Sequence, residues 1–165
     1  MKMIVAVDRN WGIGKNGKLL ISIPEDMKFF RRTTLHQVVV MGRKTLDSFP
    51  HGMPLKDRVN IVLTRDARFN REGVIVVHSI EELQSVLENY NGQEVYVIGG
   101  ESVYRQLEPF CDLAYVTKID YSYDADAHFP NLDQMEEWEC ADASEEQTYY
   151  DTEYCFTSYR RRARG

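Results

Sequence analysis

Cysteine is scarce in this 165-residue chain: Cys111, Cys140 and Cys155 are an odd number, spaced by 29 and 15 residues. That pattern fits neither a disulfide framework nor a zinc site, so the three read as buried thiols in a reducing compartment, with no metal expected. Long apolar runs are missing too. The stretch from Met1 to Val7 stops at Asp8 and Arg9, too short for a signal-peptide core, and nothing approaches the length that spans a bilayer. A cytoplasmic protein without membrane contact is expected. Positive charge is outnumbered, with 20 Lys and Arg against 26 Asp and Glu and a net charge of -6. Nucleic acid is therefore not an expected partner, because binding phosphates needs a clustered positive surface. The one basic run, Arg160-Arg161-Arg162-Ala163-Arg164, lacks interleaved aromatics and reads as a solvated tail on the last strand. Internal repeats, low-complexity segments and linkers are also absent. The length suits one domain over residues 1–165, burying about two-thirds of the surface of its unfolded chain.

Short β-branched runs alternate with helical segments. The runs are Met3 to Val7, Val38 to Met41, Val59 to Leu63, Val74 to Val77, Glu94 to Ile98 and Leu113 to Ile119. Such alternation predicts an α/β domain around a mostly parallel sheet. Ser79 and Glu82 form a capping box opening a helix to about Tyr90, stopped by Asn91-Gly92. After a turn-rich segment from Asp120 to Asp126, Trp138 to Ala141 and Thr152 to Tyr159 predict an antiparallel hairpin at one sheet edge.

Three segments carry candidate chemistry. In Ile23-Pro24-Glu25-Asp26-Met27-Lys28-Phe29-Phe30, proline and two acids mark a helix start. At about 100° per residue, Ile23, Asp26, Met27 and Phe30 share a face opposite Glu25, Lys28 and Arg32. Asp26 is then either a first-turn acid satisfying backbone N–H groups, or a partly buried carboxylate with a raised pKa. Next, Val38-Val39-Val40-Met41 runs into Gly42-Arg43-Lys44-Thr45, and Ile61-Val62-Leu63 ends in Thr64-Arg65. Two adjacent strand ends with arginine and hydroxyl suit a 2′-phosphate of the kind that separates NADPH from NADH. Third, Val95-Tyr96-Val97-Ile98 leads into Gly99-Gly100-Glu101-Ser102, where glycine admits a diphosphate close to backbone. The Gly-x-Gly-x-x-Gly fingerprint is absent, so this is no ordinary Rossmann site. Gly12 to Lys18 matches a P-loop, but Leu19 stands where a magnesium-binding Ser or Thr belongs, leaving a phosphotransferase as a distant alternative.

Taken in order, these segments resemble dihydrofolate reductase: Ala6, Ile13-Gly14, Pro24 with Asp26, Phe30, Met41-Gly42-Arg43 with Thr45, Arg58, Thr64-Arg65, Ile98-Gly99-Gly100, Tyr104, Thr117, and Asp126 with His128-Phe129-Pro130. The resemblance spans residues 3 to 159. It implies a dihydrofolate-reductase-like single domain with a central mixed, mostly parallel eight-stranded sheet flanked by helices. It also implies NADPH as cofactor, dihydrofolate and antifolate inhibitors as ligands, and a monomer. Asp26 would be the catalytic residue, contacting the pterin 2-amino group and N3 and favouring protonation of N5 by water, with Thr117 supporting it. Arg58 would pair with the α-carboxylate of the glutamate tail. Ile4, Val5, Met27, Phe30, Leu55 and Ile98 would line the apolar slot. Cofactor contacts would come from Ala6, Ile13, Gly14, Arg43, Lys44, Thr45, Thr64, Arg65, His78, Ile98, Gly99, Gly100, Glu101, Ser102 and Tyr104. Gly12 to Lys18 would be the mobile loop closing over the nicotinamide.

Two departures stand out. Leu20-Ile21 replaces the family's usual Pro-Trp, and Ile21 has no indole N–H to hold an ordered water near the substrate carbonyl. Glu101 follows the glycine pair, where a carboxylate either repels a diphosphate or turns to solvent. The rival within the enzyme class is a pyrimidine reductase of riboflavin synthesis, which needs no buried acid at Asp26. A cofactor-binding protein with impaired catalysis is the rival outside it.

Overall fold

A strand covered on both faces has no polar side to show, and the β-branched runs fold accordingly. The computed structural model describes residues 1–163. Its first strands are β1 (Lys2–Val7), β2 (Gly12–Lys15), β3 (Lys18–Leu19), β4 (Val38–Gly42), β5 (Val59–Leu63) and β6 (Val74–Val77). They are followed by β7 (Val95–Gly99), β8 (Leu113–Ile119), β9 (Ala127–His128), β10 (Trp138–Ala143), β11 (Gln147–Tyr149) and β12 (Thr152–Arg161). Four α-helices connect them: α1 (Pro24–Thr34), α2 (Arg43–Ser48), α3 (Ile80–Leu87) and α4 (Glu101–Leu107).

The main sheet has nine strands, eight of them on one path in the order β10-β12-β8-β1-β7-β4-β5-β6, with β11 paired to β12. Every neighbouring pair from β8 to β6 is parallel, and β12 pairs antiparallel with β8, β10 and β11. The sheet is thus mixed and mostly parallel, as the alternation predicts. The expected C-terminal hairpin is more elaborate. β10 and β11 succeed one another along the single long partner β12, separated by residues 144–146, and β10 itself carries a bulge between Cys140 and Asp142.

In β4 the side chains alternate between two cores. Val38 and Val40 join Met3, Val7, Ile61, Val97 and Leu107 on one face. Val39 and Met41 join Leu46, Val62 and Phe69 on the other. All four of these β4 residues are 0% exposed, which is why no alternation shows in the sequence there. A third small core, Ile23, Ile119 and Tyr154, seats the start of α1.

The capping box at α3 differs in one partner. Ser79 Oγ accepts the Glu82 N–H at 3.0 Å, but Glu82 Oε2 accepts the N–H of His78 and not that of Ser79. The helix passes into a 3₁₀ turn at Glu88–Tyr90. Of the cysteines, only Cys111 is fully buried, and burial pushes its thiol up to about 12. Cys140 is exposed because β10 is an edge strand, so the reading of three buried thiols fails there.

Within the arginine run Arg160 and Arg162 are exposed, as a solvated tail implies, but Arg161 is not. Arg161 Nε donates to Cys111 O at 2.9 Å and Nη2 to Glu108 O at 2.7 Å, while the guanidinium lies 4.6 Å from the Trp138 ring. Glu108 is 7% exposed and also accepts the Trp138 indole N–H at 3.2 Å. Arg160 and Arg162 both reach Glu139 across the edge pair. Arg164 lies outside the described residues. Removing Arg161 leaves the Glu108 carboxylate without its cation. Arg161→Ala is expected to lower the unfolding free energy by about 3 kcal/mol in urea titrations. Arg161→Lys recovers only part of that, since an ammonium cannot supply the fork.

Candidate active site

Register places the chemistry. Met41 pairs with Gly99, Gly42 with Leu63, and Leu63 with Val77. The residues one step further on are Arg43, Gly100, Thr64 and His78, so four loops leave the sheet side by side at its carboxyl edge. β7 is inserted between β1 and β4, making the strand-order switch at which α/β sheets open a crevice.

Asp26 forms one wall. Its Oδ1 accepts the Thr117 hydroxyl at 2.6 Å, and Thr117 is paired in register with Ala6 at the centre of the sheet. Thr117 is 3% exposed. Burial raises the Asp26 pKa above the ordinary 3.8, and the Thr117 hydrogen bond only partly opposes it. Of the two readings left open by spacing, the desolvated carboxylate is the one observed. Tyr104 stands behind, its phenol pushed far up by burial and then by the Asp26 charge, and it donates to Ile4 O at 2.7 Å.

The outer part is a cleft of about 500 Å³ lined by Arg31, Phe49, Met53, Leu55 and Arg58 among others. Arg58 donates to Thr34 Oγ1 at 3.2 Å and Lys56 O at 2.8 Å, both neutral acceptors. Burial, and then the neighbouring Arg31, lower its pKa below the ordinary 12.5, so the pair of cations favours an incoming anion. Asn60, 3% exposed, clamps this loop: it accepts the Leu55 N–H and donates to Leu55 O and Arg58 O.

On the cofactor side, Gly99 has φ 130, and a Cβ there would lie 3.3 Å from Thr45 Oγ1. Gly42 is similarly hemmed, by Val103 Cγ2 at 3.1 Å. Neither α2 nor α4 has a side-chain cap, unlike α3, so their first N–H groups are not taken by a cap. Bare backbone, free donors, and Arg43, Lys44 and Arg65 beside them fit the phosphates of a dinucleotide. His78 Nδ1 lies 2.8 Å from Thr64 O, joining two of the four loops.

The structure revises several expectations. Met27 is 55% exposed, and the face of α1 meeting the sheet carries Phe29, which packs on Tyr115 at 5.7 Å and Phe156 at 5.2 Å. The apolar stripe is rotated because α1 lies over the antiparallel end of the sheet. Glu101 is half-exposed and already has partners within the fold, including Arg105 at 3.6 Å. Its Oε1 accepts the His128 N–H at 2.9 Å, tying α4 to β9. The P-loop reading fails: Gly12 to Leu19 is a hairpin, its turn made by Asn16 (φ 52) and Gly17 (φ 76), with no helix following the lysine. Ile13 and Gly14 lie on this hairpin, which pairs with β9 and is pinned by Asp126 Oδ2 accepting the Asn16 N–H. Ile21 packs against the Ile23, Ile119 and Tyr154 core. Sequence reasoning missed Asp8, 3% exposed, which accepts the N–H groups of Asn10, Gly12 and Tyr123. It also missed Asn60. A polar residue inside an apolar run, Val59-Asn60-Ile61, was the available signal for Asn60, whereas Asp8 merely ends its run.

A parallel sheet with glycine-led helix starts, arginines and one desolvated carboxylate at its carboxyl edge defines an α/β oxidoreductase that uses a nucleotide cofactor. A family profile described as dihydrofolate reductase matches residues 1–161. The Bacillus subtilis dihydrofolate reductase is 35% identical over 159 residues, covering 93% of this chain and 91% of that protein. The Staphylococcus haemolyticus enzyme of the same name is 37% identical over 139 residues, covering 83% and 81%. The dihydrofolate reductase from Enterococcus faecalis, solved with NADP(H) and RAB-propyl, superposes with a TM-score of 0.87 at 34% identity, covering 98% of this chain and 96% of that one. The chain belongs to the dihydrofolate reductase family.

The Asp26 environment has a consequence for stability. Its folded pKa lies above its unfolded one, so between the two values the native state holds more protons and stability falls as pH rises. Asp26→Asn is therefore expected to raise the melting temperature of the ligand-free protein at pH 7, with the difference vanishing below the ordinary value of 3.8. Scanning calorimetry at both ends of the range checks this; equal melting at pH 7 would mean that Asp26 is well solvated.

Proposed function

We propose that the protein reduces 7,8-dihydrofolate to 5,6,7,8-tetrahydrofolate, and the observation that carries this reading is Asp26, desolvated and held by Thr117 at 2.6 Å. A carboxylate that has lost its water gains from a ligand offering N–H donors, and the pterin 2-amino group and N3 offer two in a row. Asp26 binds them while Thr117 keeps its other partner fixed. Its negative charge then favours protonation of N5 by water. When bound, NADPH supplies hydride to the adjacent C6.

The remaining residues bind and orient. Ile4, Val5, Met27, Phe30, Leu55 and Ile98 enclose the pterin and benzoyl rings, with Met27 covered only once a ligand is in place. Arg58 exchanges its neutral acceptors for the α-carboxylate of the glutamate tail, a bidentate match, with Asn60 keeping its loop in shape. Ala6, Ile13, Gly14 and Ile98 flank the nicotinamide, and the hairpin bearing Ile13 excludes water. Gly99, Gly100, Glu101 and Ser102 meet the diphosphate through backbone, with Tyr104 buttressing the glycine pair. Arg43, Lys44, Thr45, Thr64, Arg65 and His78 take the adenosine end and its 2′-phosphate. We further propose that the chain works as a single-domain monomer in the cytoplasm and binds antifolates in the Asp26 slot. Among the described residues no helix is long and apolar enough to cross a membrane.

The direct test is NADPH oxidation followed by absorbance with dihydrofolate present, which should require both reactants and stop on adding an antifolate. Cofactor binding without turnover would favour an impaired binder. In the same assay Asp26→Asn should lose about a hundredfold or more in turnover while keeping its affinity for NADPH. Comparable loss of cofactor binding would assign Asp26 a folding role. Because burial raises the Asp26 pKa, the acid limb of wild-type kcat/KM should lie above pH 3.8 and disappear in the variant.

A further inference from the structure

Of the three cations assigned to the 2′-phosphate, Arg43, Lys44 and Arg65, the first is already engaged. Arg43 Nη1 donates to Asp66 Oδ2 at 3.0 Å, and its Nε faces Asp47 Oδ2 at 3.7 Å. The guanidinium lies 4.9 Å from the centre of the Phe69 ring, and Arg71 lies 5.4 Å from the same ring while donating to Asp47 Oδ1 at 2.9 Å. Phe69 is 9% exposed, so the ring, Asp47 and Arg71 make a firm bracket that decides where Arg43 sits. Asp66 is fixed as well. Its Oδ1 accepts the Arg68 N–H at 3.0 Å, and its own N–H donates to Thr64 Oγ1 at 3.2 Å. A carboxylate thus stands in the turn beyond β5, directly after Thr64-Arg65, in a place where a phosphate reader needs cations.

The two chemistries at a ribose 2′ position meet this pair differently. A 2′-phosphate must compete with Asp66 for Arg43 and then remain near a like charge. A 2′-hydroxyl donates to Asp66 and leaves the Arg43–Asp66 pair intact, which is how acidic residues select the unphosphorylated dinucleotide in α/β sheets. We propose that Asp66 reads the ribose 2′ position in opposition to Arg43, so that the site accepts NADH as a second hydride source beside NADPH. The inference rests on the proposed dinucleotide site. The balance of the reaction is the same with either cofactor: one hydride passes to C6, one proton from water to N5, and the oxidised dinucleotide leaves. Side-chain exposures of 47% for Arg43 and 44% for Asp66 mean that solvent screens the opposition, so its effect is a several-fold bias and not an absolute choice.

Calorimetric titration with adenosine 2′,5′-bisphosphate and with 5′-AMP, which carries a 2′-hydroxyl, tests this without turnover. Asp66→Asn retains an Oδ1 acceptor for the Arg68 N–H, so the turn survives. The variant should bind the bisphosphate about fivefold tighter and 5′-AMP about threefold weaker, with both differences shrinking at about 0.5 M salt. In steady state the ratio of kcat/KM for NADPH over NADH should widen about tenfold. Arg43→Ala should weaken the bisphosphate alone. Parallel shifts of both probes in Asp66→Asn, or no shift in either, overturn the inference while leaving the dinucleotide site standing. A wild-type protein that binds neither the bisphosphate nor NADPH overturns the site itself and the inference with it.

Discussion

Six neighbouring strands, β8, β1, β7, β4, β5 and β6, run in the same direction, and so their carboxyl ends finish on one edge. Everything at the candidate site hangs from that constraint. Short connections leave this edge into α2, α4 and the turns after β5 and β6, bringing Gly42, Gly99, Thr64 and His78 together from distant parts of the chain. The core holds the edge level: Val38 to Met41 of β4 are 0% exposed, so a one-residue slip there would push Val39 and Met41 into the core shaped for Val38 and Val40 and misfit both. The family relationship to enzymes of the same size and a TM-score of 0.87 agree with that frame.

A buried carboxylate, Glu108, and a half-buried one, Asp26, show how differently the fold treats the same group. Glu108 is given an arginine and an indole N–H, and it joins α4 to the last strand. Asp26 is given a single hydroxyl, and its charge remains undercompensated. The first arrangement stabilises the native chain; the second gives up some stability in the empty protein and recovers it when donors arrive. Arg58 follows the second pattern on the cationic side, parked on neutral oxygens beside Arg31. Arg43 follows neither, since its partners are acids on two sides and an aromatic ring beneath.

Much of this was legible in the chain. The strand runs, the Pro24 helix start, the glycine pair and the arginines at strand ends all depend on local preferences: β-branching, a fixed proline φ, the missing Cβ, and a planar guanidinium. The ordered resemblance over residues 3 to 159 then supplied the family, which the profile over residues 1–161 established. Local preference carried no information about rotation or pairing. Phe29, not Met27, faces the sheet because α1 sits over the antiparallel end, and no helical wheel contains that placement. Arg161 looked solvated because its partners, Cys111 and Glu108, lie about fifty residues away in sequence. The Gly12 to Lys18 segment matched the spacing of a phosphate loop, with Leu19 against it, and the pairing of β2 with β3 makes it a hairpin.

By itself, then, the sequence determined the elements, the parallel sheet and the identity of the candidate site groups, because each is a property of a few adjacent residues. Tertiary structure alone decided which of those groups is desolvated and which is satisfied. Asp26 is poised and Glu108 is quenched, and Arg43 is shared with Asp66. Solvation and charge pairing are set by neighbours brought together across the fold, at distances along the chain that no local pattern records.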